Sequence, residues 1–344
     1  MILEAALSRL AERGKLESDV AAVISRLALA AVSVRGIIND GALGNAFGGK
    51  RSTRNAGGDE QHSLDIHADE LFMSAMHKSP VRYYATEELE RPVRLQPDKQ
   101  LALAIDPLDG SSNIDTNVSI GTIFSILPAV DDDSDTEASF KQPGTAQLAA
   151  GFFIYGPQLA LALTWGEGLH TFIYSARKDA FVKVHEGLTI SRKAHEFAIN
   201  ASNARHWDEA VRAYVDDCLA GSSGPREKDY NMRWIASLVA DCYRILMRGG
   251  VFLYPGDSRA GYGRGRLRLV YEANPIAMII EQAGGSAIDG ENRILDLVPS
   301  ELHQRTPLIF GSADEVERIG RYFADPGAIG ERAPLFGTRG LFRV

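Results

Sequence analysis

The sequence predicts two domains of mixed helices and strands, an α/β or α+β fold built in packed layers. Apolar residues recur at helical spacing over residues 20–38. A near-continuous apolar run over residues 101–105 is typical of a buried strand. Strand patterns dominate residues 148–184, and helical patterns follow Phe197. Segments of both types in this order are expected to pack as layers around shared cores.

The 344 residues are enough for two ordinary domains, and we place the boundary between residues 1–196 and residues 197–344. The predicted elements of the N-terminal domain are, in order, a helix over 20–38, a glycine-rich loop over 41–58, a helix over 64–76, strands over 81–85, 101–105 and 120–127, an acidic loop over 131–144, and strands over 148–184. Those of the C-terminal domain are helices over 208–219 and 235–247, a strand over 251–254 and a helix over 275–284.

Composition and charge exclude several classes of function. The chain is 45% apolar and 24% charged, which is typical of a soluble globular protein. Its net charge of −8 argues against nucleic acid as a partner, because such binding needs a basic surface. Arg26 and Arg35 interrupt the 20–38 segment and charges interrupt the N-terminus, so we expect neither a membrane span nor a signal peptide. With Cys218 and Cys242 as its two cysteines, a cytoplasmic protein with reduced thiols is predicted.

The most informative segment is 106–115, which reads Asp-Pro-Leu-Asp-Gly-Ser-Ser-Asn-Ile-Asp. Asp106 and Asp109 are held close together by a proline turn at the end of a buried strand. Backbone N–H groups from Gly110 onward can face an anion. Carboxylates beside an anion repel it unless cations lie between them. The segment therefore indicates a hard divalent cation, Mg²⁺ or Mn²⁺, between protein oxygens and phosphate oxygens.

Acidic residues also stand at the ends of other predicted elements: Glu87 and Glu88 after a strand, Asp59 and Asp65 around a turn, and Glu272 before a helix that starts with proline. Taken singly, each is typical of a surface carboxylate or a helix cap. An Asp-x-x-Asp-Gly turn by itself also occurs without any ligand. The shared placement of these residues at element ends predicts one acidic cleft.

The segment 106–115 resembles the signature of class I fructose-1,6-bisphosphatases, a branch of the Mg²⁺-dependent, lithium-sensitive phosphatase superfamily. The Asp-Pro-Leu-Asp-Gly core is shared across the superfamily, whereas the extension Ser-Ser-Asn-Ile-Asp distinguishes the sugar bisphosphatases. The similarity covers nearly the whole chain, including 58–59, 64–65, 86–88, 239–241, 252–255 and 271–275. It implies metal-dependent hydrolysis of the 1-phosphate of fructose 1,6-bisphosphate, in gluconeogenesis or the Calvin cycle. It also implies an α-β-α-β-α sandwich assembled as a homotetramer.

The resemblance implies two or three Mg²⁺ ions in each subunit, with Mn²⁺ as a possible substitute. The ligands of the first ion would be Glu87, Asp106, Asp109 and Glu272. The second ion would share Glu87 and Asp106 and add the backbone carbonyl of Leu108. Asp59 would join a third, more labile site.

The resemblance assigns the chemistry to neighbouring residues. Asp65 and Glu88 would orient and deprotonate the attacking water. The phosphate that leaves would be cradled by Gly110, Ser111 and Ser112. These roles agree with the physical expectation that positioned bases and N–H donors act where charge develops.

The phosphate that stays on the sugar needs cations of its own, because the acidic cleft repels it. By the resemblance, Arg233 would reach this phosphate from a neighbouring subunit. Asn200, Tyr254 and Arg266 would contact the same phosphate or the sugar.

The chain departs from the family pattern in this region. Arg266 stands where the family usually has lysine, and Trp234 and Asn203 stand where it has tyrosines. The reaction class is unchanged by these differences, but they leave the range of substrates open. Arg268 is expected to make a structural ion pair rather than to face the ligand as Arg266 would.

Two other functions remain open. Sedoheptulose 1,7-bisphosphate shares its phosphate chemistry with fructose 1,6-bisphosphate, and the sequence does not separate the two substrates. A catalytically silent phosphate-binding protein on the same fold would be expected to lose metal carboxylates, and all of those named above are present.

The sequence also predicts weak or absent inhibition by AMP. In many family members the nucleotide phosphate meets threonine hydroxyls near the start of the long helix, whereas this chain has Glu17 at one such position. A Lys-Tyr pair that helps to bind the nucleotide is Gln100-Leu101 here. A carboxylate that faces a phosphate dianion is repelled by it.

Overall fold

The computed structural model describes residues 1–43, 50–54, 60–132 and 134–324. Its α-helices are α1 (Leu3–Ala11), α2 (Lys15–Asp40), α3 (Ser63–Met76), α4 (Glu209–Ala220), α5 (Leu238–Arg248), α6 (Asn274–Gln282) and α7 (Ala313–Ala324). Its strands are β1 (Lys50–Arg54), β2 (Glu60–His62), β3 (Val81–Thr86), β4 (Val93–Arg94), β5 (Leu101–Asp109), β6 (Ile120–Pro128), β7 (Ala149–Tyr155), β8 (Leu159–Thr164), β9 (Leu169–Ser175), β10 (Ala180–Leu188), β11 (Glu196–Ile199), β12 (Asn231–Met232), β13 (Val251–Tyr254), β14 (Leu267–Arg268), β15 (Ser286–Ile288), β16 (Arg305–Thr306) and β17 (Leu308–Gly311).

The larger sheet has the strand order β10-β9-β8-β7-β6-β5-β3-β4. Strands β3 and β5 pair in parallel, and the other neighbours are antiparallel. Helices α1, α2 and α3 cover one face, where Leu27 and Phe72 pack with Leu103 and Phe153 of the sheet. Because successive residues of a strand point to opposite faces, Ala102 belongs to a different cluster, on the other side of β5.

The middle of the molecule is a layer formed by α5 and α6. Val239 and Ile279 of these helices pack with Phe152 of the larger sheet and with Phe310 of a second sheet. The second sheet has the order β12-β11-β13-β17-β15. Its outer face is covered by α4 and α7, in a cluster that includes Tyr214. The layers therefore run helix, sheet, helix, sheet, helix, which confirms the α-β-α-β-α sandwich.

Helix α2 is long and apolar enough to cross a membrane by length and composition alone. Many of its apolar side chains are instead buried in the protein core, including Val23, Ile24, Leu27 and Ala31. A buried core helix passes the same test of length and composition, so this helix gives only weak evidence of a membrane span.

Three predicted segments differ from the structure. Residues 50–54, predicted as loop, form β1 and pair with β2; this stretch lacks the apolar alternation that signals a strand. The strand predicted to stop at Asp106 continues to Asp109 as β5. The helix predicted from residue 235 begins at Leu238, because Ser237 caps it and its hydroxyl accepts a hydrogen bond from the Ala240 amide.

Candidate active site

Asp106 and Asp109 lie at the carboxyl end of β5, where the pairing of β5 with β6 shifts its register. Such a bulge bends a strand and redirects its side chains. The Asp106 carboxylate accepts a hydrogen bond from the Leu108 amide at 3.0 Å. The Pro107 carbonyl accepts one from the Thr122 hydroxyl at 2.9 Å. Pro107 thus lies within β5 at a bulge and not in the turn that the sequence predicted, because the strand continues past it, and both aspartates are buried there.

The N-terminus of α5 holds the Asp109 carboxylate. The Val239 amide donates a hydrogen bond to this carboxylate at 3.0 Å, and the Ser237 hydroxyl lies 3.4 Å from the same oxygen. Amides in the first turn of a helix have no partner within the helix, so a carboxylate there is stabilised. The sequence analysis does not predict Ser237 as a site residue, although a serine directly before a helical pattern is a signal for a helix cap.

Residues 110–113 form a tight turn directly after the second aspartate. Gly110 has φ +77, in the left-handed region that glycine adopts without strain. A short 3₁₀ helix, Ser111–Asn113, follows it. The Asn113 side chain fixes this turn by donating to the Ala236 carbonyl at 2.7 Å. Ser111 and Ser112 are therefore presented at the edge of the cleft, as the phosphate cradle would require.

Three further predicted residues come from α3 and the end of β3. Asp65 is buried in the first turn of α3. Glu87 and Glu88 follow β3 directly, and the Glu88 amide donates to the Thr86 hydroxyl at 3.3 Å. Because β3 and β5 are parallel neighbours, both strands deliver their carboxylates to the same edge of the sheet.

Glu272 belongs to a short π-helical turn, Leu269–Ala273, that precedes α6. Such turns are rare in proteins overall, but those that occur are often found at functional sites. The Glu272 carboxylate accepts a hydrogen bond from the Arg268 amide at 2.6 Å. The Arg268 side chain is buried and lies 3.4 Å from the Glu87 carboxylate. The expected structural ion pair of Arg268 is therefore confirmed, with a predicted metal ligand as its partner.

The buried carboxylates of Asp106, Asp109 and Glu272 have oxygen atoms within 4.8 Å of one another. Burial and the negative charge of Glu87 raise the pKa values of Asp106 and Glu272 well above the ordinary range. Burial also raises the pKa of Asp109 to about 7, although the Val239 hydrogen bond acts in the opposite direction. Several oxygens from carboxylates that repel one another form a donor set that fits a hard divalent cation.

A cleft of about 500 Å³ brings most of the predicted residues together. Its lining includes Asp65, Glu87, Glu88, Asp106, Leu108, Asp109, Gly110, Ser111, Ser112, Asn200, Tyr254, Arg266 and Glu272. Arg233 is not part of this lining; its side chain is about half exposed and lies 4.0 Å from Glu196. Asp59 lies outside the residues that the structure describes.

One wall of the cleft is aromatic. Trp234 stacks on Phe252 and Tyr254, with ring centroids 5.6 and 5.9 Å apart and planes within 16°. All three residues line the cleft. The sequence predicts no role for Phe252, and Trp234 stands where the family pattern has a tyrosine. In the structure both contribute a flat apolar surface to the lining of the cleft.

Family models match nearly the whole chain. Residues 2–186 match the model described as Fructose-1-6-bisphosphatase, N-terminal domain, and residues 190–324 match the C-terminal domain. Two curated relatives are called fructose-1,6-bisphosphatase class 1. The one from Rhizobium meliloti is 63% identical and the one from Sinorhizobium medicae is 62% identical. Each alignment covers 99% of this chain and 99% of the relative.

Solved structures give the same result. The chain is similar to Leishmania major fructose-1,6-bisphosphatase in holo form, with a TM-score of 0.84 and 32% identity. That comparison covers 89% of this chain and 95% of the other. The apo form of the Leishmania enzyme gives a TM-score of 0.79 at 30% identity.

Proposed function

The chain belongs to the class 1 fructose-1,6-bisphosphatase family, and from this premise we propose that it hydrolyses the 1-phosphate of fructose 1,6-bisphosphate in a metal-dependent reaction. The products are fructose 6-phosphate and inorganic phosphate. One observation carries the proposal: a single cleft has buried carboxylates at one end and an arginine at the other. That arrangement suits a substrate with one phosphate bound through metal and one bound directly.

The metal ligands we propose are Glu87, Asp106, Asp109, Glu272 and the Leu108 carbonyl, with Asp59 at a further site. Bound there, two or three Mg²⁺ or Mn²⁺ ions would neutralise phosphoryl oxygens and acidify a water molecule. The 4.8 Å grouping of Asp106, Asp109 and Glu272 supports this assignment.

Asp65 and Glu88 take the proton from the attacking water in this proposal. Their position on the same cleft as the carboxylate cluster supports it. The backbone of Gly110 and the hydroxyls and amides of Ser111 and Ser112 hold the phosphate that leaves, and the turn that Asn113 fixes presents them. Preorganised donors of this kind stabilise charge that develops in the transition state.

At the far end of the cleft, Asn200, Tyr254 and Arg266 bind the phosphate that remains on the sugar. The guanidinium of Arg266 can bind a phosphate through two parallel hydrogen bonds. Arg233 completes this site for the neighbouring subunit of a homotetramer. Its half-exposed side chain, outside the lining of its own cleft, supports that role.

We further propose a cytoplasmic enzyme divided into domains at residue 196. The division is supported by the end of the first sheet at Leu188 and the start of the second sheet with Glu196. Sedoheptulose 1,7-bisphosphate remains the alternative substrate, because the same two phosphate sites would serve it.

Weak or absent inhibition by AMP stays a prediction, and two ion pairs support it. Arg13 pairs with Glu167 and Lys15 pairs with Asp19. These cations could otherwise form a new phosphate site beside Glu17, and their carboxylate partners compete with a phosphate. We expect activity to stay flat as AMP is raised into the millimolar range. Half-inhibition at micromolar AMP would contradict the prediction.

Phosphate release from a panel of sugar phosphates, with and without Mg²⁺, tests the proposed function. We expect turnover of fructose 1,6-bisphosphate that stops in EDTA and returns with Mg²⁺ or Mn²⁺, because the carboxylate cluster otherwise repels the substrate. A parallel assay with sedoheptulose 1,7-bisphosphate ranks the two substrates. Undiminished turnover in excess chelator would reject the metal assignment.

A further inference from the structure

The loop over residues 256–265 lies between β13 and β14, and its residues Asp257, Arg259 and Tyr262 line a recess beside the cleft. Its backbone is held by internal hydrogen bonds, from the Asp257 amide to the Tyr262 carbonyl at 3.1 Å and from the Tyr262 amide to the Arg259 carbonyl at 3.0 Å. Gly265 has φ +74, and a Cβ there would lie 2.4 Å from the Thr306 carbonyl oxygen. The loop therefore presents its side chains in a defined arrangement.

The Tyr262 ring contacts two guanidinium groups of this region. The Arg259 guanidinium lies 4.3 Å from the ring centroid, and that of Arg266 lies 5.1 Å from it. Both distances are within the range of cation–π attraction. Half-buried Tyr262 thus links an arginine of the loop to the arginine that we assign to the retained phosphate.

Asp257 makes this arrangement electrostatically possible. Two guanidinium groups near one ring repel each other unless one of them is neutralised. The Asp257 carboxylate binds Arg259, whose Nε lies 3.0 Å from both carboxylate oxygens. The Asp257 side chain is 6% exposed and that of Arg259 is 33% exposed, so the pair is partly shielded from solvent. The charge of Arg259 is balanced locally, and the ring can attract Arg266 as well.

These residues line one recess at the end of the cleft, together with Asn200, Asn203 and Tyr254. Asn200, Tyr254 and Arg266 also line the main cleft, so the recess and the cleft are continuous. Arg266 is exposed and has a long side chain, which loses rotamer freedom when it binds a ligand. A neighbouring ring that holds it before binding reduces that cost.

We propose that Tyr262 is a positioning residue that holds Arg266 toward the phosphate retained on the sugar, and that the Asp257–Arg259 pair keeps the Tyr262 ring in place. The inference rests on the proposed function, because it assumes that Arg266 binds this phosphate. It assigns to the loop a selectivity for sugars that carry two phosphates over those that carry one. The reacting end of the cleft is untouched by this contact.

The test compares Tyr262→Leu with Tyr262→Phe. Leucine removes the aromatic ring and keeps apolar volume, whereas phenylalanine keeps the ring and loses the hydroxyl. We expect Tyr262→Leu to raise KM for fructose 1,6-bisphosphate roughly fivefold, the scale of one cation–π contact, with kcat within about twofold. Tyr262→Phe should match the wild type. Equal defects in both variants would overturn the inference, since the hydroxyl rather than the ring would be responsible.

Arg264→Ala is the matched control, because Arg264 is exposed in the same loop and lines neither the cleft nor the recess. Its KM should equal that of the wild type. Calorimetric binding of fructose 6-phosphate gives a second readout that does not depend on turnover. Tyr262→Leu should weaken this binding by the same factor as it raises KM, and unchanged binding would contradict the inference.

Arg266→Ala separates this inference from the proposed function. We expect it to raise KM far more than it lowers kcat, and Tyr262→Leu to add nothing in that background. An unchanged KM in Arg266→Ala would reject the phosphate role of Arg266 itself. A raised KM in Arg266→Ala with a normal KM in Tyr262→Leu would reject the positioning role alone. A Tyr262→Leu effect that persists without Arg266 would reject it as well.

Discussion

Two regions of this protein contain buried carboxylates whose pKa values are shifted in opposite directions. In the cleft, Asp106, Asp109 and Glu272 are gathered within 4.8 Å of one another, and their pKa values are raised. In the outer layer, Glu315 at the start of α7 is buried to a similar degree, yet its pKa is lowered. Burial alone raises the pKa of both kinds of carboxylate, so the difference comes from their neighbours.

Glu315 is surrounded by donors from its own chain. Arg226 lies 2.7 Å and Lys228 3.4 Å from its carboxylate oxygens. The hydroxyls of Tyr214 and Tyr230 donate to the same carboxylate at 3.0 and 2.9 Å. Desolvation raises the pKa of Glu315, but the hydrogen bond and charge of Arg226 and the two tyrosine hydrogen bonds together outweigh it. The side chains of the Arg226–Glu315 ion pair are only 3% and 4% exposed.

The comparison separates a structural charge from a functional one. Glu315 has its counter-charge within the fold. Its carboxylate therefore links α4 to α7 without an external cation. In the cleft, Asp106, Asp109 and Glu272 lie close to one another, and Arg268 lies beside Glu87. A cluster of this kind costs stability until a cation binds, which is the property expected of a metal site.

The largest expected effect is on catalysis in the cleft. Asp109→Asn and Glu88→Gln should each lower kcat roughly a hundredfold or more, because each removes a metal ligand or a positioned base. Steady-state kinetics in Mg²⁺ measures this. Asp216→Asn, at an exposed aspartate of α4, is the control and should keep full activity. Near-normal kcat in both cleft variants would place the active site elsewhere.

Glu315 and Asp109 should have opposite effects on the free energy of unfolding. Glu315→Gln should lower the free energy of unfolding by about 2 kcal/mol, because the buried Arg226 loses its counter-charge. Urea unfolding of this variant against Asp216→Asn measures the effect. In chelator, Asp109→Asn should be at least as stable as the wild type, since it removes one of several carboxylates that repel one another. A large loss of stability in Asp109→Asn would break the comparison.

The smallest effect is a difference in pH dependence. Glu315 has a lowered pKa when folded, so its contribution is fully present above the unfolded value of about 4.3 and is lost as pH falls through the folded value. The stability gap between wild type and Glu315→Gln should therefore close in acid. Asp109 has a raised pKa of about 7, so in chelator its charge should cost stability as pH rises from about 4 to 7. Denaturation midpoints of the wild type, Glu315→Gln and Asp109→Asn, measured across pH in EDTA, test both predictions. The contrast is refuted if the stability differences between the wild type and the two variants change with pH in the same direction.

Much of the site could be predicted from short sequence patterns. Asp106 and residues 108–112 of the 106–115 motif line the same cleft as the acidic residues at element ends, Glu87, Glu88 and Glu272, whereas Ile114 and Asp115 line a different cavity. The long helix and the strand over residues 251–254 were also predicted correctly, because their patterns are local and strongly periodic. Helices α1 and α7 and the strands β15 to β17 were not predicted. These strands are short: β15 and β17 form the end of the second sheet, whereas β16 pairs with β14, so each forms only through pairing with another segment of the chain.

The sequence by itself determined the family, the reaction class and the acidic residues available for it. The family and the reaction class follow from the resemblance of the 106–115 segment to a known signature, and the acidic residues follow from residue types at the ends of predicted elements, since the chemistry is carried by the side chains. The tertiary structure alone decided that Ser237 and the Val239 amide hold Asp109, that Arg268 pairs with Glu87, and that Tyr262 lies beside Arg266. Ser237 and Val239 are more than a hundred residues from Asp109 in the chain, so local sequence patterns do not predict this contact. The layered packing brings them together, because α5 must bury its apolar side between the two sheets and so points its first amides at the end of β5.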